Sequence, residues 1–244
     1  MAFLASCGNK QPQGSTPKNN AELVAKHTQK TLPDSVALGA PADSVQVDTI
    51  AQGITGIKEV WREKAITIEA TTVNIQSLAR AFCDKYNGFE PNRVLRDHFD
   101  GKITPTEQQE YGVNLEARNG YVCIETTTEL PTGTTICYWN RKYGHKLMAA
   151  WMEQKREGEK GEQLLVCYDY DPGTKMLQPE PKLTDELERI TKKFKEWSLR
   201  LPAEGRDIEI MEFSGTDSEE HFKCTYYTWK WNGQSFHFDP NGHE

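Results

Sequence analysis

Apolar residues recur along this chain in two periods, and the period changes near residue 120. Upstream the spacing is helical. Ile50, Ile54, Ile57, Val60 and Trp61 fall on one stripe, a β-prone stretch follows at 65–72, and Asn74 stands as N-cap for a helix over 75–86. Ile75, Leu78, Ala79, Phe82 and Tyr86 share one face of that helix, and Asn87-Gly88 ends it. A second short helix is predicted over 91–99, with Pro91 in its first turn and Val94, Leu95, His98 and Phe99 turned inward. His98 reads as a core or boundary histidine rather than a ligand.

Beyond Asn119-Gly120 the period shortens to two. Segments 121–126, 134–141, 145–152, 163–170 and 175–178 are rich in Tyr, Trp, Val, Ile and Thr, and turn residues separate them, so they predict an antiparallel meander. One amphipathic helix is expected over 184–201, with Leu187, Ile190, Phe194, Trp197 and Leu201 as its inner stripe. Strands at 207–213 and 221–231 follow. Asn232-Gly233 then reads as a two-residue type I′ turn, setting Trp231 opposite Gln234, Trp229 opposite Phe236 and Tyr227 opposite Phe238. Tyr227, Trp229, Trp231, Phe236 and Phe238 thereby share one face. Because Phe222, Cys224 and Tyr226 lie in the opposite phase, a bulge is expected near Tyr226-Tyr227. The fold class is α+β: an antiparallel meander of six to eight strands packed against a few helices and preceded by a flexible N-terminal tether. The chain divides into a tether over 1–49, a mainly helical part over 50–119 and a sheet-bearing part over 120–244, the last two forming one globular unit.

Charge narrows the function classes. Lys and Arg number 29 against 36 Asp and Glu, a net charge of −7, which argues against a protein that neutralises phosphates, so no nucleic-acid partner is expected. Residues 8–20 are rich in Gly, Ser, Pro, Asn, Gln and Lys and cannot bury enough apolar surface to fold. Cys7 stands just before them, in Leu4-Ala5-Ser6-Cys7.

That tetrad resembles the lipobox of bacterial lipoproteins, and the resemblance implies a diacylglycerol on the sulfur of Cys7. Six residues precede the cysteine and none is basic, so the signal peptide is read as truncated, with the true start upstream. Asp34-Ser35-Val36, Asp43-Ser44-Val45 and Asp48-Thr49-Ile50 resemble the O-glycosylation sequon of exported Bacteroidetes proteins, which makes Ser35, Ser44 and Thr49 the implied acceptors. The alternative is that Asp43 or Asp48 only opens a helix. The segments Tyr138-Trp139-Asn140-Arg141-Lys142-Tyr143-Gly144-His145-Lys146-Leu147 and Cys167-Tyr168-Asp169-Tyr170-Asp171-Pro172-Gly173-Thr174-Lys175 are similar to stretches of uncharacterised exported lipoproteins of the Bacteroidetes type. Together these resemblances imply an outer-membrane lipoprotein facing the periplasm. They carry no reaction.

Motifs for chemistry are absent: no GxSxG, P-loop, HExxH or glycine-rich dinucleotide turn, so no cofactor, metal or catalytic residue is assigned. Asp169 to Gly173 reads as a hairpin turn, because its glycine arrives too early for a calcium loop. Glu125, Glu129, Asp169 and Asp171 supply acids for a carbohydrate-active hydrolase, and His221 and His237 flank the last hairpin without a nucleophile. Cys83, Cys123, Cys137, Cys167 and Cys224 show no CxxC spacing; most read as small buried hydrophobes, with one or two disulfides left open. The expected function is binding or interaction, with a glycan or an envelope protein as partner. Tyr227, Trp229 and Trp231 are the candidate ligand platform if their face is open; plain sheet core is the competing and favoured reading of that face.

Overall fold

The computed structural model describes residues 53–155, 157, 161–214 and 223–243. Cys7, Ser35, Ser44, Thr49 and His221 lie outside the described residues. The fold is α+β, with two antiparallel sheets packed together and with helices.

The N-terminal elements follow their helical pattern closely. Helix α1 covers Gly53–Val60, strand β1 Ile66–Thr67, α2 Ile75–Lys85 and α3 Glu90–Phe99. Asn74 caps α2 through a reciprocal capping box with Ser77, each side chain bonding the other's backbone N–H at 3.0 Å. On α3 the inward set differs from expectation. His98 is exposed, whereas Asn92 is fully buried and donates from Nδ2 to the Tyr86 carbonyl while accepting from Thr134 Oγ1 at 2.7 Å. Helix α4, Pro105–Glu110, precedes β2 at Tyr111–Glu116.

Strands β3 (Tyr121–Thr126), β4 (Thr132–Asn140), β5 (Lys146–Gln154), β6 (Glu162–Asp171) and β7 (Met176–Pro179) complete a seven-stranded sheet of order β1-β7-β6-β5-β4-β3-β2. Its centre is covered on both sides. Ile136, Met148, Ala150, Met152, Leu164, Val166 and Tyr168 face α1–α3, and the alternate residues Cys137, Trp139, Leu147, Ala149, Trp151, Leu165 and Cys167 face the opposite layer.

That second layer departs from a single meander. It consists of α5 (Lys182–Thr191) and a four-stranded sheet of order β11-β10-β9-β8, with β8 Glu196–Arg200, β9 Ile208–Ser214, β10 Lys223–Trp231 and β11 Phe236–His243. The helix expected over 184–201 therefore stops ten residues early. Its stripe would have left Leu199 facing solvent, but as a strand paired with β9 the segment buries both Leu199 and Leu201. Trp197, Leu199 and Leu201 alternate as readily as they follow a helical stripe, and the open edge of β9 decides between the periods.

The last hairpin is also corrected. Trp231 pairs Phe236 and Trp229 pairs Phe238, so the loop is Asn232–Ser235 and the register lies two residues from that of a two-residue turn. Asn232 Oδ1 accepts from the backbone N–H of Gln234 and Ser235, which closes the longer loop. A shift of two preserves the face, and the five aromatic residues do lie on one side. The irregularity near Tyr226 falls between β10 and β11, where Tyr226 pairs His243 and Thr228 pairs Asp239; the extra residues are on β11, and β10 pairs β9 without interruption.

Candidate functional site

The two segments singled out for resemblance fold as neighbouring hairpins at one end of the large sheet. Asn140 pairs Lys146 across β4 and β5, Leu147 pairs Asp169 across β5 and β6, and Asp171 pairs Met176 across β6 and β7. Two-residue alternation then continues the interlayer face past its apolar part: Trp139 is followed in phase by Arg141, Leu147 is preceded by His145, and Cys167 is followed by Asp169 and Asp171. Four polar side chains thus emerge where the core between the sheets ends.

They form one connected network. The Arg141 side chain is 8% exposed, and its Nη1 donates to Asp169 Oδ1 at 2.7 Å while the guanidinium grips both oxygens of Glu180, Nη2 at 2.9 Å from Oε1. Arg141 Nε donates to the carbonyl of Gln234 at 2.9 Å. His145 Nδ1 stands 2.6 Å from Asp169 Oδ2, and its Nε2 lies 3.8 Å from Asp171 Oδ1. The backbone N–H of Gly173 at 2.8 Å, the Thr174 hydroxyl and His145 hold the Asp171 carboxyl below the usual range. Asp169 to Gly173 makes a hairpin turn, as its sequence implies.

The turn between β4 and β5 is strained. Tyr143 sits at φ 58° beside Gly144 at φ 80°, and a bulky residue in the left-handed region is an outlier. Tyr143 is 92% exposed. The tip leans on the neighbouring hairpin: a Cβ on Gly144 would meet Pro172 Cγ at 3.4 Å. Between this tip, Lys142, Lys182 and Gln234 lies an open depression of about 610 Å³ floored by the arginine network.

Chemically the network is a rigid support. Asp169 orients His145, but among the described residues no hydroxyl or thiol is hydrogen-bonded to that ring, and Asp169 and Glu180 already accept from Arg141. No group of three His, Cys, Asp or Glu among the described residues is placed to hold a metal ion. Glu125 lies opposite Gly133, at the start of β4, whereas Asp169 is level with Trp139 near its end. Six residues of strand separate the two levels by roughly 20 Å. The four acids considered for hydrolysis therefore fall at opposite ends of the sheet, so neither Glu125 nor Glu129 can pair with Asp169 or Asp171, and these last two are already engaged, Asp169 by Arg141 and His145 and Asp171 by Gly173 and Thr174.

The aromatic platform is in the interior. Trp229 is 0% exposed. Tyr227 stacks on Phe194 at 5.4 Å and donates its hydroxyl to Glu212 at 2.9 Å; Trp231 packs on Trp139 and Phe236. Trp229 cannot offer a ring face to a ligand, and of the three only Tyr227 and Trp231 reach the periphery. His237 is exposed. The five described cysteines are all free thiols, and burial pushes those of Cys83, Cys137 and Cys167 up, which makes them inert.

Arg141, His145, Glu180 and Tyr143 escaped sequence reasoning. Arg141 and His145 carried a usable signal, since they hold polar groups in the phase of Trp139 and Leu147.

No protein-family model, curated protein or solved structure matches the chain. No described helix is long and apolar enough to cross a membrane.

Proposed function

We propose that this protein is a binding or interaction module of the bacterial cell envelope, lipid-anchored through Cys7 to the outer membrane and facing the periplasm, and that the two-hairpin end holds a glycan or an envelope protein. The observation that carries the recognition surface is Tyr143. A bare tyrosine held in left-handed backbone is a cost the fold could avoid with glycine, and such strain concentrates where a side chain must be presented. Tyrosine supplies a large amphipathic face at low entropy, suited to a sugar ring or a protein partner. The ion-paired network beneath fixes the tip before binding, which lowers the ordering cost of association.

Support for the anchor comes from Leu4-Ala5-Ser6-Cys7 and the polar stretch after it, and the triplets at Ser35, Ser44 and Thr49 agree with export and O-glycosylation. A binding role agrees better than a hydrolase with near-end acids already engaged by Arg141, His145 and Gly173, and with a histidine that has no nucleophile among the described residues. A glycan array probed with the full chain and with Tyr143→Ala tests the surface; binding that is indifferent to Tyr143 would remove it. Metabolic labelling with a radioactive fatty acid tests the anchor, and label retained in Cys7→Ala would end that part. Intact mass of protein from its native host should show added hexose on 32–50, and an unmodified peptide would count against all three acceptors.

A further inference from the structure

Nine arginines are described, and seven of them, Arg62, Arg80, Arg93, Arg96, Arg141, Arg189 and Arg200, stand in ion pairs. The two that do not are Arg118 and Arg206. They are far apart in sequence, yet both line the same cleft of about 370 Å³. Among the described residues no Asp or Glu lines that cleft, in a chain of net charge −7.

The cleft is built where three segments meet: the turn between β2 and β3, the end of β4, and the connection from β8 to β9. Asn119 Nδ2 donates to the Ala203 carbonyl at 2.9 Å and Trp139 Nε1 donates to the Arg206 carbonyl at 2.8 Å, so the backbones carrying both arginines are tied down. Gly120, at φ 69°, lets the first turn close on the Tyr138 ring; a Cβ there would fall 2.8 Å from Cε1. Trp231 forms a wall, packed on Trp139 at 5.9 Å and held by its backbone N–H on Asp207 at 2.8 Å. Neither guanidinium makes a hydrogen bond or ion pair to a described residue, and Asn119 Oδ1 and Asn140 Nδ2 keep hydrogen-bonding capacity, since Asn119 bonds through Nδ2 and Asn140 accepts from Lys146 through Oδ1.

Two planar five-donor forks with no counter-charge among the described residues match an oxyanion. An adjoining indole and two amide groups match a ring bearing hydroxyls. We infer, resting on the binding role proposed above, that this cleft takes an acidic saccharide, its carboxylate or sulfate held between Arg118 and Arg206 and its ring against Trp231. Both substituents offer the same oxyanion chemistry, and the probes below separate them.

The test is calorimetric titration of the full chain with an oligogalacturonate, a sulfated oligosaccharide and a neutral oligosaccharide, repeated with Arg118→Gln, Arg206→Gln and Tyr143→Ala. One anionic probe should bind, weaken in raised salt, and weaken about tenfold or more in each arginine variant, as loss of a charged hydrogen bond requires. Both arginines are exposed, so neither variant should change the melting temperature. No anionic binding, or anionic binding unaltered in both arginine variants, would overturn the cleft assignment. Neutral binding lost only in Tyr143→Ala would overturn it while leaving the hairpin surface standing, whereas anionic binding that needs the arginines and ignores Tyr143 would support the cleft and remove the hairpin surface.

Discussion

Arg141 Nε donates to the carbonyl of Gln234 at 2.9 Å, joining the end of β4 in the large sheet to the hairpin of the small one. The same guanidinium neutralises Asp169 and Glu180, whose side chains are 25% and 27% exposed. Arg141→Met should therefore leave two half-sheltered carboxylates side by side. The expected loss is about 2–3 kcal/mol, below that of a fully buried pair because water still reaches the acids. Arg141→Lys should recover little of it, since an ammonium cannot grip Glu180 with two nitrogens and also reach Gln234. Urea midpoints of the three proteins check this.

Trp229 tests the interlayer core. Its ring is fully buried, so Trp229→Ala should cost about 3–5 kcal/mol. Trp229 Nε1 is buried without a hydrogen-bond partner among the described residues. Trp229→Phe removes that unsatisfied donor along with part of the ring, so it should be milder than its volume loss suggests. Equal melting temperatures for the Ala variant and the parent would place this face outside the core.

Tyr143 separates stability from function. Glycine adopts φ 58° without strain, so Tyr143→Gly should leave stability unchanged or raise it by up to about 1 kcal/mol. Binding at the hairpin end should disappear in the same protein. A clear fall in melting temperature would mean that the exposed ring supports the fold after all.

Acid should loosen three corners of the structure together. Asp100 accepts from Arg80 and Lys102, Glu107 from the Thr104 backbone and Arg93, and Asp239 from Lys230 and Asn241, and each carboxyl is held down to about 2. These folded-state values lie below those of the unfolded chain, so the stabilisation is complete above roughly pH 4 and is lost as pH falls toward the folded values. Urea midpoints measured down this range should decline, and Glu107→Gln should flatten the decline. Raised salt should flatten it as well, because the partners Arg80, Lys102 and Lys230 are exposed.

Asn92 joins α3 to the sheet through Thr134 and to α2 through the Tyr86 carbonyl. Asn92→Leu leaves the Thr134 hydroxyl unpaired and removes one of the two donors to that carbonyl, the Phe89 N–H remaining at 3.3 Å, and should cost about 1–3 kcal/mol. Adding Thr134→Val should restore part of the loss, which a double-mutant cycle would register as coupling.

What the sequence determined by itself was whatever local periodicity and caps encode. Asn74 capping α2, the strands from Tyr121 to Met176, and the shared face of Tyr227, Trp229 and Trp231 all follow from spacing. That face survived a register error because a shift of two residues returns each side chain to the same side. Tertiary contact decided the rest. Residues 196–200 satisfy helical and strand periods alike, and only the unpaired edge of β9 makes the strand win. His98 and Asn92 are both polar residues on one short helix, and a hydroxyl from Thr134, distant in sequence, selects which of them is buried. Arg118 and Arg206, or Arg141 and Glu180, are brought together by long-range strand order, whose pairings span sequence separations that no local pattern records.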